Sequence, residues 1–455
     1  MAGAILYGQL NGYNAQAQLP TPEVAVRSFR VFPPTQSWDF DLWEVVDTIE
    51  ARVPQIADIK VYNLSIGPEG PIMDEEVTRF TYALDRLSYF KDVQFCVAVG
   101  NDGQTAYPRI QSPSDAVNAV GVGAWTFAVD NLFPKKVRAP YSCTGAGREG
   151  AKVKPDVAAF GGCENHPFHV VSLEPGQRVL TMGTSFATPL VARQMAMVLG
   201  HAPELDPLTA KALVVHSAEN PAGHPDYELG HGCIADSVTE ILSCSPTRAT
   251  AVFQGSVSPR RYVRLPVFLP DTVARFGREQ EVVVNYTMAT IVRPRGVDVD
   301  DYTCSALEDR FFPHSRKHRF VNSKTRQERK VDIGDKRLVG ELTAGGWVDH
   351  GPVTAPCNEY RPEQDRRALD ATWDTVVRRI SPLRTAASYF QPYLELHFME
   401  REDGQGDPVK YAVVVTAEVP GYPFDVYREV RQQWKSLVPI QIRTLNEIMV
   451  PVKVS

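Results

Sequence analysis

The chain has 455 residues, which is long for a single ordinary domain and favours two. Hydrophobic residues make up 43% and charged residues 22%, as in soluble globular proteins. The formal net charge of -6 excludes a general electrostatic attraction to nucleic acids or acidic membrane surfaces. We therefore expect no nucleic-acid partner and no membrane partner.

The cysteines are scattered along the chain, and no two of them form a Cys-x-x-Cys pair. This pattern predicts neither a zinc site nor a disulfide framework, and we expect no metal and no cofactor. Scattered thiols fit a reducing compartment, which leads us to expect a cytoplasmic protein, or they are simply small buried apolar residues. Residues 1–16 lack the basic region and apolar core of a signal peptide, and no apolar stretch of about 18 residues predicts a membrane span.

The first half of the chain alternates between strand and helix patterns. Apolar stretches predict strands at residues 23–32, 59–66, 93–99, 117–125 and 168–173. Apolar residues at helical spacing predict helices at residues 41–51, 74–90, 184–199 and 207–217. The alternation predicts an α/β fold with a parallel sheet flanked by helices.

The pattern changes near Cys244, and strands dominate after it. They are predicted at residues 250–255, 262–268, 281–288, 394–400, 411–419 and 440–444. Alternation of apolar and polar residues predicts antiparallel sheets packed as a sandwich. We thus predict a first domain over residues 1–245 and a β-rich accessory domain over 246–455, with a polar, less regular insertion around 303–385.

A serine stands at the start of an almost wholly apolar helix, in the sequence Gly-Thr-Ser-Phe-Ala-Thr-Pro from Gly183 to Pro189. Thr184 is a suitable N-cap, and the free N–H groups of a first turn can stabilise an oxyanion beside the hydroxyl of Ser185. Pro189 lies beyond the favoured first position and should strain the helix. The plainer interpretation is a threonine-capped core helix.

Two further motifs follow apolar strands. The sequence Gly-Asn-Asp-Gly begins at Gly100, and its Asn101 amide could donate to an oxyanion, although a turn ending a strand explains it equally well in isolation. The sequence Val-Tyr-Asn-Leu-Ser-Ile-Gly at residues 61–67 reads by itself as a core strand ending in glycine. Weaker signals are Lys-Pro-Asp-Val-Ala-Ala at residues 154–159 and the glycine-rich stretch at 117–124.

In this order, the motifs resemble those of the subtilisin-like serine peptidases over roughly residues 1–240. The resemblance implies that Ser185 is the nucleophile and that the Asn101 side chain and Ser185 N–H form an oxyanion hole. It also implies that Ser65, Ile66 and Gly67 hold a peptide substrate by strand addition. By the same resemblance, Val99, Gly100 and Thr184 contact the substrate, whose apolar side chain would enter a pocket walled by residues 64–67 and 97–100.

The sequence departs from the family at the rest of its catalytic triad. The family carries an Asp and a His-Gly-Thr motif before the serine, and neither motif occurs here. His231, which is followed by Gly232, comes after the nucleophile, and we expect it to be structural. Met1 to Leu6 resembles the tail of the histidine motif, which predicts that the upstream DNA continues in frame and encodes the missing histidine; a natural fragment or degenerate paralogue is the alternative.

Two functions therefore compete. The first is a serine endopeptidase that acts on peptide or protein substrates through an acyl-enzyme on Ser185, incomplete in this chain without the Asp and His. The second is a catalytically inactive subtilase-like binding or scaffold protein. A basic stretch at residues 316–330 could contact nucleic acid, but a solvated loop is the simpler interpretation.

Overall fold

The structure is a computed structural model of the chain. It describes residues 1–10, 18–33, 39–128, 135–174, 176–276, 279–296, 299–354, 362, 371–381, 384–401 and 406–438. None of the helices in these ranges is long and apolar enough to cross a bilayer. The same ranges hold no group of three or more His, Cys, Asp and Glu side chains that could bind a metal ion.

A five-stranded sheet forms the centre of the N-terminal region. Its strands are β1 (Val61–Leu64), β2 (Gln94–Ala98), β3 (Val120–Phe127), β4 (Lys136–Arg138) and β5 (Val157–Phe160). The pairs β1–β2, β2–β3 and β3–β5 are parallel, and β4 joins the far end of β3 in the antiparallel direction. The predicted parallel sheet is confirmed.

Helices cover both faces of this sheet. They are α1 (Ala2–Tyr7), α2 (Trp43–Arg52), α3 (Arg79–Lys91), α4 (Thr184–His201), α5 (Pro207–Ser217) and α6 (Val238–Leu242). Phe95 of β2 packs in one cluster with α2 and α3, whereas the neighbouring Cys96 packs in another with α4 and α5. Because successive strand residues face opposite layers, a strand between two helical layers is apolar throughout.

The strand predicted at residues 23–32 is absent: these residues form no regular element and are mostly exposed. A strand exists only where a neighbouring strand accepts its hydrogen bonds. Among the described residues, no strand pairs with the edge of β1 that faces away from β2. Residues 23–32 are instead held by side chains, such as the exposed ion pair between Arg27 and Asp58.

Two other predictions for this half need correction. Helix α3 begins at Arg79, later than expected, because the Thr78 hydroxyl accepts a hydrogen bond from the Thr81 N–H and caps the helix there. The strand predicted at residues 168–173 exists as β6 (Phe168–Val171), but it lies outside the parallel sheet. It forms an antiparallel hairpin with β7 (Arg178–Thr181), and this hairpin leads directly into α4.

The C-terminal region contains two antiparallel sheets whose inner faces share one hydrophobic core. One comprises β8 (Arg248–Val257), β10 (Glu281–Ile291), β15 (Val376–Ile380), β16 (Arg384–Thr385) and β18 (Val409–Glu418); the other comprises β9 (Tyr262–Pro266), β11 (Ser305–Phe312) and β17 (Tyr393–Glu400). Helices α7 (Asp271–Phe276) and α9 (Val426–Gln433) accompany them. The predicted β-rich, sandwich-like region is confirmed, whereas the strand predicted at residues 440–444 lies outside the described residues.

The prediction of an irregular insertion around residues 303–385 is wrong for the central part of that segment. Three antiparallel strands, β12 (Lys317–Asn322), β13 (Glu328–Asp332) and β14 (Trp347–Pro352), pack with helix α8 (Lys336–Ala344). Phe320, Val331 and Leu342 form a small separate core. The many charged residues of this segment occupy the outer surface, so its composition conceals an ordered unit.

Helix α5 joins the two regions. It packs against β2 and α4 on one side and against β10 and β18 on the other, which explains why nearly all its residues are buried. The His216 ring, near its end, hydrogen-bonds to the hydroxyls of Thr287 and Thr416 at 3.0 and 2.8 Å. A second link is the Asn118 side chain, which exchanges two hydrogen bonds with the backbone of Val292. The two regions therefore share a continuous core.

Two buried carboxyls make the stability of this structure depend on pH. Burial raises the pKa of Asp374 to about 7, although a hydrogen bond from the Lys152 N–H acts to lower it. Burial also raises the pKa of Asp85 to about 6. An Asp in the unfolded chain has a pKa of ~4, so the folded state binds more protons than the unfolded state between about pH 4 and 7. The free energy of unfolding should fall as the pH rises through this window.

We expect the free energy of unfolding of Asp374→Asn to fall less steeply with pH over this window, because a buried amide does not ionise. Urea unfolding at intervals from pH 5 to 8 measures the slope for both proteins. Glu341→Gln, at an exposed residue of α8, is the control and should keep the wild-type slope. Identical slopes for Asp374→Asn and wild type would contradict the assignment.

Candidate functional site

The ends of two strands and the start of a helix meet at one place in the N-terminal region. Ser185 lies in the first turn of α4, Asn101 follows β2, and Ser65 follows β1. The Asn101 Oδ1 accepts a hydrogen bond of 2.9 Å from the Thr184 N–H, and the Ser65 hydroxyl donates one of 3.2 Å to the Ser185 carbonyl. The structure thus brings together four of the residues singled out in the sequence.

The beginning of α4 differs from the prediction that Thr184 caps it. The N-cap position is Gly183, with φ of 141°, a backbone conformation that favours glycine. The Thr184 hydroxyl is occupied elsewhere, donating to Asn101 Oδ1 at 3.0 Å. Within the described residues, no acceptor binds the Ser185 N–H, which leaves it available to a ligand.

The orientation of the Asn101 amide follows from its partners. The Thr184 N–H can only donate, so the atom it meets must be the amide oxygen. With Oδ1 held by the N–H and the hydroxyl of Thr184, Nδ2 is turned away from them, and Asn101 is exposed. Among the residues that the structure describes, neither Asn101 Nδ2 nor the Ser185 N–H has an acceptor, so two donors are open at the start of one helix.

Pro189 explains why the backbone carbonyl of Ser185 is open to a hydrogen bond from Ser65. Residue 189 would ordinarily donate its N–H to the carbonyl four residues earlier, but proline has no N–H. The Ser185 carbonyl accepts a hydrogen bond from the Ser65 hydroxyl instead. The four-residue spacing of Ser185 and Pro189 thus couples helix α4 to the end of β1.

The segment predicted to bind a peptide has an open backbone. Ser65, Ile66 and Gly67 follow the edge strand β1, and among the described residues no backbone hydrogen bond occupies the N–H or C=O groups of Ile66 and Gly67. Gly67 is exposed, and Ser65 and Ile66 are half-buried. An extended peptide could therefore pair with this segment.

Val99 and Gly100 serve the fold at this point. The Val99 side chain is fully buried, and its N–H and C=O bond to Val122 and Gln111. Val99 therefore presents no group to a substrate, contrary to the role that the resemblance implied. Gly100 has φ of 105°, and a Cβ there would lie 2.4 Å from the Gln111 side chain, so only glycine fits.

No described histidine replaces the missing base. No side chain of the described residues hydrogen-bonds to the Ser185 hydroxyl. His231 is buried, its backbone N–H donates to the Asp156 carbonyl, and burial lowers the pKa of its ring to about 4. This environment agrees with a structural role for His231.

The weaker motif at residues 154–159 provides a buried charge cluster. Lys154 and Asp156 form an ion pair, and the Lys154 ammonium also donates to the carbonyls of Ala116 and Ala119. The Asp156 carboxylate accepts a hydrogen bond of 2.6 Å from the Gly121 N–H. The motif therefore fixes the chain between β2 and β3.

Tyr141 is a residue of the site that the sequence did not indicate, because it belongs to none of the motifs. Its hydroxyl lies at the loop before α4, where it donates to the Gly162 carbonyl at 2.8 Å and accepts from the Gly183 N–H at 3.1 Å. Nearby Cys143 is buried among apolar residues, and burial raises the pKa of its thiol to about 11, as expected of a packing residue.

Comparison with known proteins gives one family match. The model of the subtilase family, Peptidase_S8, matches residues 1–232, which is just over half of the chain. Similar solved structures include "Sphericase" (20% identity, TM-score 0.34, covering 42% of this chain and 64% of that one). Another is "S41 Psychrophilic Protease" (22% identity, TM-score 0.33, covering 44% and 64%). A third is "Structure of self-cleaved protease domain of PatA" (23% identity, TM-score 0.32, covering 44% and 65%).

The chain spans less than two thirds of the length of each of these three structures. No curated protein sequence matches the chain significantly.

Proposed function

The chain belongs to the subtilase family, and from that premise we propose that it is a serine endopeptidase that cleaves peptide bonds through an acyl-enzyme on Ser185. The Ser185 oxygen attacks the scissile carbonyl carbon while its proton passes to a base. The C–N bond then breaks, and the leaving amine takes that proton. Water hydrolyses the resulting ester, which restores the serine and releases the carboxyl product.

One observation carries this proposal. The Ser185 N–H and the Asn101 Nδ2 are both without a partner in the described part of the chain, at the start of the helix that bears the serine hydroxyl. Free donors beside a nucleophile can stabilise the negative oxygen that develops during acyl transfer. The positive end of the α4 dipole acts in the same direction.

The open backbone at Ile66 and Gly67 supports a polypeptide substrate. A peptide that adds as a strand beside this segment gains main-chain hydrogen bonds that do not depend on its side chains. Ser65 bonds to the Ser185 carbonyl, so the segment and the nucleophile are held in one frame. The proposal therefore names peptides or proteins, rather than small esters, as substrates.

The reaction also needs a base, and within the described residues no imidazole contacts the Ser185 hydroxyl. A serine hydroxyl without a base stays protonated and reacts slowly. We therefore expect peptidase activity only in a protein in which a histidine, oriented by a carboxylate, reaches Ser185. Without such a base, these residues would give only the small residual reaction rate that substrate binding and oxyanion stabilisation provide.

A fluorophosphonate probe tests the proposal, because it modifies serines that are activated as nucleophiles. The protein should be expressed from its complete natural reading frame and compared with its Ser185→Ala variant. We expect labelling of the wild type and its loss in Ser185→Ala. A folded wild-type protein that the probe leaves unmodified would refute the peptidase.

The same absence of a base favours a second candidate, an inactive subtilase-like protein that binds peptides or acts as a scaffold. Such a protein would keep the open segment at residues 65–67 but would never acylate Ser185. Peptide binding that Ser185→Ala leaves unchanged, together with no probe labelling, would support this candidate over the enzyme.

A further inference from the structure

The Tyr141 side chain is the one side chain, among the described residues, that hydrogen-bonds to Gly183 in the loop before α4. Gly183, the residue before the helix, donates its N–H to two acceptors, the Gly161 carbonyl at 3.0 Å and the Tyr141 hydroxyl at 3.1 Å. The same hydroxyl donates to the Gly162 carbonyl at 2.8 Å. Tyr141 thus links the end of β5 to the residue that determines where α4 begins.

This position matters because Gly183 sets the direction of the first turn of α4. The two free donors proposed to bind the oxyanion are fixed relative to it, one on the Ser185 backbone and one on Asn101. Gly183 lies at φ 141°, where a glycine has wide backbone freedom and needs outside contacts to hold one conformation. An oxyanion hole works only when its donors are already aimed.

The contact is well suited to this task. Tyr141 is half-buried beside Gly161, and a Cβ on Gly161 would lie 2.5 Å from its hydroxyl, so the hydroxyl sits closely against the loop. Burial raises the pKa of the Tyr141 phenol, which therefore remains a neutral donor and acceptor at ordinary pH. The Gly162 carbonyl is buried, and it would lose this partner in a phenylalanine variant.

We propose that Tyr141 is a positioning residue for the reaction at Ser185: its hydroxyl holds Gly183 so that the first-turn donors of α4 meet the oxyanion. The inference rests on the proposed peptidase function. Tyr141 touches no reacting atom, so its removal should slow the chemical step without weakening the initial binding of a substrate or probe.

The test compares Tyr141→Phe with the control Tyr89→Phe in protein expressed from the complete natural reading frame. Tyr89 is also half-buried, on α3, and its hydroxyl makes no hydrogen bond within the described residues. Fluorophosphonate labelling at several probe concentrations gives the inhibition constant and the maximal rate of modification of Ser185. Thermal midpoints of all variants show whether each is folded.

We expect Tyr141→Phe to lower the maximal labelling rate about 3- to 10-fold, the effect of taking one of its two acceptors from the Gly183 N–H, and to leave the inhibition constant unchanged. Tyr89→Phe should label at the wild-type rate. A wild-type rate in Tyr141→Phe, or an equal loss in both variants, overturns the positioning role. Absence of Ser185-dependent labelling in the wild type itself overturns the peptidase, and the inference with it.

Discussion

Replacing Asn101 with alanine should lower kcat roughly 100- to 1,000-fold and change KM little, which is the usual effect of removing one oxyanion donor. The expectation follows from the contacts of the amide. Thr184 holds Oδ1 with two hydrogen bonds, which leaves Nδ2 to donate to the oxyanion. Since charge develops on that oxygen only in the transition state, the donor contributes more there than in the bound substrate.

Asn101→Asp is the sharper variant, because it keeps the shape and the oxygen that Thr184 binds but replaces the donor with an acceptor. It should lose at least as much activity as Asn101→Ala while the protein stays folded. Steady-state kinetics on a cleavable peptide, with protein from the complete natural reading frame, separates kcat from KM. An unchanged kcat in either variant would remove Asn101 from the oxyanion hole.

The parallel sheet could be predicted because its strands carry their own signal. Strand β2 lies between two helical layers, so Phe95 and Cys96 are both buried on opposite faces and the segment is apolar after Gln94. Residues 23–32 carry a similar pattern and form no strand. The difference is the presence of a partner strand, which is a property of the whole sheet and not of the segment.

The residues of the site could be predicted from the sequence, but the hydrogen bonds between them could not. Ser185 stands out because its motif is specific, Asn101 stands out only in combination with that motif, and the structure places the two side by side through Thr184. Thr184 itself was misassigned as a cap. A threonine hydroxyl before a helix can serve the helix or a distant side chain, and only the folded arrangement decides between them. The Tyr141 contact is hidden for the same reason.

The sequence also did not reveal which charged side chains are buried. The motif at residues 154–159 gave no sign that Lys154 would be fully buried, since lysine is almost always exposed. Lys211 of α5 is buried close by and donates to the carbonyls of Asn118 and Ala119. Two ammonium groups and the Asp156 carboxylate therefore share one water-excluded region behind the sheet.

This cluster leads to a large expected effect on stability. Asp156→Ala should lower the free energy of unfolding by about 3–5 kcal/mol at pH 7, because it leaves Lys154 buried without its counter-charge. The variant also deprives the Gly121 N–H of its acceptor. Since whole proteins are stable by only about 5–15 kcal/mol, urea unfolding should show a clearly reduced midpoint.

The pH dependence distinguishes a charge effect from a packing defect. Burial lowers the pKa of Lys211 to about 8, even though the nearby Asp156 acts to raise it, so removing that carboxylate should lower the pKa of Lys211 further. A buried lysine with a lowered pKa releases its proton on folding, so the free energy of unfolding rises with pH between the folded pKa and the unfolded pKa of ~10.4. The deficit of Asp156→Ala should therefore shrink as the pH rises to about 8, above which Lys211 is neutral in both folded proteins. Glu341→Ala, which breaks an exposed ion pair with Arg337, should leave the midpoint nearly unchanged. A deficit that stays constant across this range would mean that lost packing, and not the unpaired lysine, destabilises the variant.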